Sequence, residues 1–138
     1  MSEDCIFCKI VAGEAPSQKV YEDEDVLAFM DIFPTAPAHT LVIPKAHSEN
    51  ILSTPPELAA KVVNVAQKIA PAVMKAAGMP ACVFSNNCGK EAGQVVFHTH
   101  VHIIPRAEGD GKAMWGSSEA TPEEIEAHAK KIREELNK

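Results

Sequence analysis

The sequence predicts an α+β domain built on a mostly antiparallel, five-stranded sheet, with one long helix and a C-terminal helix. Three observations carry that prediction. Five short segments combine alternation with β-branched content, as strands do: Lys19–Glu22, Val26–Met30, His39–Ile43, Ala81–Asn86 and Val95–Ile104. Two longer segments place apolar residues at helical spacing behind the same start signal. The 138 residues are 46% hydrophobic, enough to bury one core, so we expect a single domain over 1–138 with a C-terminal extension from about residue 106.

The third strand segment, HTLVI, is stopped by Pro44, and the fifth and longest by Pro105, because proline cannot donate to a sheet ladder. The long helix opens at Thr54-Pro-Pro-Glu57, a capping box with proline at the first helical position. Leu58, Val62, Val65, Ile69 and Val73 then recur along one face. Pro71 should kink this helix or split off its last turns, and Gly78 can end it. The C-terminal helix repeats the signal at Thr121-Pro-Glu-Glu124, with Ile125, Ala129, Ile132 and Leu136 on one face. Glu126 with Lys130 and Glu134 with Lys138 sit at ion-pair spacing on it. Arg106–Glu119 is glycine-rich and reads as irregular. Hairpin-like strands around one long helix favour antiparallel pairing.

Composition excludes several function classes. A net charge of −6, from 19 acidic and 13 basic residues, argues against a non-specific grip on a nucleic-acid polymer. A small phosphorylated ligand is compatible with it, since one local site can oppose the global charge. The N-terminus is acidic where a secretory signal would be basic, and no apolar run approaches the ~20 residues that span a bilayer. We therefore expect a cytoplasmic protein with no membrane partner. Cys5, Cys8, Cys82 and Cys88 should then stay reduced, and metal binding outranks a disulfide for Cys5 and Cys8.

The most informative stretch is His98-Thr-His100-Val-His102-Ile-Ile104. On a strand, alternate side chains share a face, so the three imidazoles line up ~7 Å apart on one side while Phe97, Thr99, Val101 and Ile103 take the other. Incidental histidines on a sheet face would be the bland reading. Burying each without partners costs ~1–3 kcal/mol, which disfavours it. Two readings remain open from the strand alone. Either His-x-His chelates a metal such as zinc, or one imidazole is a nucleophile oriented and assisted by its neighbours. The preceding loop, NNCGKEAGQVV over Asn86–Val96, has glycines that let backbone amides approach an anion, half of a phosphate site.

With these residues in place the chain resembles the histidine triad (HIT) family, whose signature His98, His100, His102, Ile103 and Ile104 fit completely. The resemblance extends to FMDIFP (Phe29–Pro34), APAHTLVIPKAH (Ala36–His47) and AGQ (Ala92–Gln94), and is greatest toward bacterial members with an N-terminal Cys-x-x-Cys. It implies a HIT-like fold and a nucleotide phosphoramidase or dinucleoside polyphosphate hydrolase, with an adenosine nucleotide as substrate and AMP released. It implies His100 as the nucleophile that forms a nucleotidyl-histidine, His102 as the group stabilising charge on the phosphate, and His39 as the histidine that supports the triad. An imidazole of pKa ~6.5 is abundantly neutral near pH 7, and a hydrogen bond from its other nitrogen to a carbonyl would set its tautomer. Asn87, Gly93 and Gln94 correspond to phosphate-side contacts, Asp31 to the carboxylate that accepts both ribose hydroxyls, and Ile32 to a neighbour of the base. Without the resemblance Asp31 reads as a strand-end turn acid. One departure is Val95, where many members carry a small hydroxyl residue.

Cys5 and Cys8 have the two-residue gap that lets both thiolates reach one metal. In zinc-bearing relatives the remaining ligands correspond to His47 and His98, so the resemblance implies a structural zinc on Cys5, Cys8, His47 and His98. It also implies a homodimer, with Trp115 in the region that reaches the partner's pocket in relatives. His128 reads as solvated, and Cys82 and Cys88 receive no role. Two other readings compete: a non-catalytic purine-nucleotide-binding module, and a metallohydrolase in which His98, His100 and His102 hold zinc.

Overall fold

A computed structural model describes residues 4–110 and 120–138; Trp115 and most of the glycine-rich stretch lie outside the described residues. In chain order the elements are α1 (Ile6–Val11), β1 (Lys19–Glu22), β2 (Val26–Met30), β3 (Thr40–Pro44), α2 (Pro56–Ala77), β4 (Ala81–Ser85), a 3-10 turn (Lys90–Ala92), β5 (Val101–Arg106) and α3 (Pro122–Leu136). The strands form one sheet in the order β1-β2-β3-β5-β4, with every pairing antiparallel.

Strands β2 and β3 are buried at every position because both of their faces are covered. On one face Ala28, Val42, Val101 and Ile103 pack with α2 and α3. On the other, Leu27, Phe29, Leu41 and Ile43 pack with Phe7, Cys8 and Ile10 of α1. Helix α1 was not expected from the sequence. Its six residues are too few to show a period, and Cys5 caps it by accepting from the Cys8 amide at 3.3 Å. No helix among the described residues is long and apolar enough to cross a membrane.

Several local expectations change. The last strand begins at Val101 rather than Val95 and runs through Pro105 to Arg106, while β3 includes Pro44. Strands β3 and β5 pair only through Thr40–Val42 and Val101–Ile103, so both prolines lie past the end of that ladder and owe it no donor. Thr54 does not cap α2. Its hydroxyl is buried in a cluster with Ser48 (2.8 Å) and Thr99 (2.7 Å) and donates to the Asn50 carbonyl, leaving Pro55 at the cap position. The second start signal works as expected, with Thr121 Oγ1 accepting from the Glu124 amide at 3.1 Å. Lys138 pairs with Glu135 at 2.8 Å instead of Glu134, and no Glu126–Lys130 ion pair forms among the described residues.

Pro71 does not split α2, which runs unbroken to Gly78 in a left-handed cap (φ 67°). Pro71 lies on the exposed face, where its ring meets solvent rather than the core. It still costs a helical hydrogen bond. Pro71→Ala should therefore raise unfolding stability by about 1–3 kcal/mol in chemical denaturation; a loss of stability would show that the ring is required by the packing.

Candidate active site and metal centre

His102 lies within the β5 ladder opposite Leu41, so its ring emerges on the α1 face while Val101 and Ile103 enter the helix-covered core. His98 and His100 precede the ladder, yet their rings lie on the same side. The Phe7 ring meets both edge-on, at 5.9 and 5.2 Å between centroids, and the His100 and His102 rings are 4.9 Å apart. The shared face expected from alternation is therefore present. Phe97, expected on the core side, is partly exposed.

Hydrogen bonds assign the tautomers. The Thr35 amide donates to His39 Nδ1 at 2.9 Å, so the His39 proton is on Nε2. That Nε2–H faces His102 Nδ1 at 2.9 Å and donates to it, which places the His102 proton on Nε2. His100 donates from Nδ1 to the His98 carbonyl at 2.7 Å, so its Nε2 carries a lone pair. The site thus sets an acceptor, His100 Nε2, beside a donor, His102 Nε2–H. Asp31 Oδ2 stands 3.5 Å from His39 Nε2, and its Oδ1 accepts from the Phe33 amide at 2.8 Å. Asp31 is therefore also the turn acid that a bare reading suggests.

Burial keeps these rings neutral. Desolvation, reinforced by the nearby His100 ring, holds His39 down to about 4. Desolvation together with His100 and His39 does the same to His102, also about 4. Burial pushes His100 below its ordinary value too, opposed by its bond to the His98 carbonyl and by Asp31.

At the other end of the row, Cys5 Sγ, Cys8 Sγ, His47 Nδ1 and His98 Nδ1 all lie within 4.8 Å of one another. Four of these separations run from 3.2 to 3.5 Å, close to the ~3.3–3.8 Å edges of a tetrahedron with Zn–N and Zn–S bond lengths. His98 donates its Nε2–H to the Pro44 carbonyl at 2.8 Å, which turns the Nδ1 lone pair inward. The donor set fits a four-coordinate metal. His98, His100 and His102 do not converge on one point, which removes the three-histidine chelate. The group Asp31, His39 and His102 also converges, but the Thr35 amide leaves a proton on His39 Nε2, where a metal would need a lone pair.

The remaining residues are placed as follows. Ile32 is 63% exposed beside Asp31, and Val95 is 85% exposed. Gln94 is buried and fully engaged. Its Nε2 donates to the Glu49 and Val96 carbonyls, and its Oε1 accepts from Gly89 and Asn50, so it braces the glycine loop. The Gly93 amide closes the 3-10 turn onto Lys90, and Asn87 is half-buried next to this loop. His128 is partly buried rather than solvated, lining a cavity of about 130 Å³ with Asp31 and His39. Sequence reasoning missed Phe7 and the Thr35 amide. Phe7 sits between two candidate thiolate ligands, and that position alone could have brought it to the histidine row.

Residues 12–109 match the HIT domain family. Among curated proteins the chain is similar to the protein named hit of Bacillus subtilis, 46% identical over 98% of this chain and 96% of that one. It is also similar to adenylylsulfatase HINT3 of Arabidopsis thaliana, 39% identical over 99% of this chain and 66% of that protein. Among solved structures it resembles a hypothetical histidine triad nucleotide-binding protein from Sulfolobus tokodaii, with TM-score 0.88, 38% identity and coverage of 96% and 92% of the two chains. It equally resembles a zinc-bound histidine triad family protein from Mycobacterium smegmatis, with TM-score 0.86, 38% identity and coverage of 97% and 94%.

The buried rings predict an acid-sensitive fold. With folded values near 4 for His39 and His102 against ~6.5 in the unfolded chain, protons bind the unfolded state first as pH falls. The stability is whole above ~6.5 and drains toward about 4. The lowered carboxylates, Glu22, Asp23 and Glu135, begin to act only from their ordinary values of 4.5 and 3.8 downward, beneath the measured range of about pH 7 to about pH 5. Tm should drop by ~5 °C or more from about pH 7 to about pH 5, and His39→Gln should flatten the slope. A Tm constant over that range would contradict the assignment.

Proposed function

Since the chain belongs to the HIT family, we propose that it is a nucleotide hydrolase or transferase that cleaves a nucleoside 5′-phosphoramidate or a similar phosphorus-linked nucleotide, with adenosine as the favoured nucleoside. The observation that carries the reading is the free lone pair on His100 Nε2 beside the His102 Nε2–H. His100 Nε2 attacks the α-phosphorus, the phosphorus–nitrogen bond breaks, and the departing amine takes a proton. The nucleotidyl-histidine then yields to water, which returns His100 and releases AMP. His102 donates to the phosphoryl oxygens as charge develops, a role worth ~3 kcal/mol for a single donor. His39 holds His102 in the donating tautomer.

Asp31 accepts the ribose hydroxyls and Ile32 covers the base. An apolar cover alone would distinguish bases poorly. Asn87 and the loop through Gly93 and Gln94 border the phosphate, with Gln94 acting through the loop it braces. Val95 has no hydroxyl to lend, so the leaving group draws its proton from solvent. The Arabidopsis relative's name adds sulfate to the leaving groups worth testing.

The cage supports a structural zinc on Cys5, Cys8, His47 and His98, in keeping with the zinc-bound relative. Four protein ligands leave no open position, so its contribution is to tie α1, and with it Phe7, to the nucleophile segment. We take the protein to be one HIT-like domain acting as a cytoplasmic homodimer on a small molecule. The partly exposed Phe84 on edge strand β4 suits an interface between two copies.

Purified protein given adenosine phosphoramidate should release AMP, and His100→Ala should lower the rate by about a thousandfold or more. An acid-labile, base-stable adduct on His100 should be trapped by mass spectrometry. AMP binding without turnover or adduct would instead favour a non-catalytic nucleotide-binding module. Metal analysis should find zinc retained in His100→Ala and lost in Cys8→Ser; zinc lost with His100 would overturn the cage assignment.

A further inference from the structure

His100 stands past the end of both ladders that flank it. The β3–β5 ladder ends at Val42↔Val101 and the β4–β5 ladder at Ser85↔His102. Continuing the first register brings Pro44 opposite Thr99, and proline has no N–H to give. Thr99 donates instead to the Ser48 carbonyl at 2.9 Å. On the other side the residue after β4 is Asn86. Its side chain fills the gap, with Nδ2 donating to the His100 carbonyl at 2.7 Å. A carbonyl only accepts, so the amide orientation is dictated by its partner. Oδ1 is left facing Cys88, whose thiol donates to it at 3.0 Å.

We propose that Asn86 is a positioning residue for His100: its side-chain amide replaces the missing ladder partner and clamps the peptide of the nucleophile from the β4 side. The inference rests on His100 being the nucleophile. The His100 ring is tied by Nδ1 to the carbonyl of its own segment, at His98. Ring direction is thus inherited from the peptides on either side of it. One of those peptides is held through His98 by the Cys/His cage and Pro44. The other, whose carbonyl belongs to His100, is held by Asn86. Releasing it lets the Nε2 lone pair swing relative to the phosphorus, and a misplacement of ~1 Å can cost ~100-fold in rate. The His100 carbonyl keeps the amide of Asn86 from turning over, because a flipped amide would bring two carbonyl oxygens together, and the Cys88 thiol would lose its acceptor.

Two variants and one spectroscopic measurement test this. Asn86→Asp keeps the size but removes the donor, and Asn86→Ala removes the amide. Wild-type protein must first turn over adenosine phosphoramidate; if it does not, the reading of His100 falls rather than the clamp. The clamp then stands or falls on the exchange of the Asn86 side-chain amide protons alone. With active wild type, both variants should lower kcat and slow single-turnover adduct formation by about tenfold or more, while KM moves by less than about threefold and the metal content is retained. Any other pattern overturns the proposal. Independently of activity, the wild-type Asn86 side-chain amide protons should exchange with solvent clearly more slowly than those of Asn87 in NMR. Equal exchange would overturn the clamp, and this measurement decides if neither variant folds.

Discussion

The site depends on the way one residue, His98, uses its polar atoms. Fully buried, it directs ring Nδ1 into the Cys/His cage, donates ring Nε2–H to the Pro44 carbonyl, and accepts the His100 ring at its own carbonyl. The Cys/His cage, the end of β3 and the orientation of the neighbouring imidazole are thereby three bonds to a single residue. An unpaired buried polar group costs ~1–3 kcal/mol, so none of the three can be released without the others feeling it. This is why the N-terminal helix, remote in sequence, is part of the site.

A second constraint is electrical. Four imidazoles, His39, His98, His100 and His102, crowd one face of the sheet with one carboxylate, Asp31, nearby. Burial and mutual repulsion favour the neutral forms. Neutral rings are donors at one nitrogen and acceptors at the other, so chemistry is decided by which nitrogen holds the proton. Here that choice descends from backbone groups: the Thr35 amide for the His39–His102 pair, and the His98 carbonyl for His100. Ala38, buried just before His39, adopts a left-handed conformation (φ 62°) that costs a residue with a side chain ~1–3 kcal/mol.

The His98–His100 segment lies where regular sheet pairing has run out. Side chains take over from the ladder there: Ser48, Thr54 and Thr99 share a buried hydroxyl cluster next to His98 and His100, and Gln94 braces the loop before them. Side-chain bonds are directional at both ends, so they hold a particular geometry rather than a repeating one. Pro44 contributes by what it lacks, since the absent N–H ends the ladder where the site begins.

The strand alternation, the two helix start signals and the His-x-His-x-His spacing were enough to set the fold class, five of five strands and the shared face of the triad, because period and spacing are local properties. The pairing of Cys5 and Cys8 with His47 and His98 was legible only through resemblance to a family. Nothing in a Cys-x-x-Cys says which distant ligands will arrive. Helix α1, the diversion of Thr54 from its cap, the exposed setting of Pro71 and the partial burial of His128 were decided by tertiary structure. The same is true of every tautomer in the site. Each turns on a contact between segments far apart in the chain, where burial and hydrogen-bond satisfaction override local propensity.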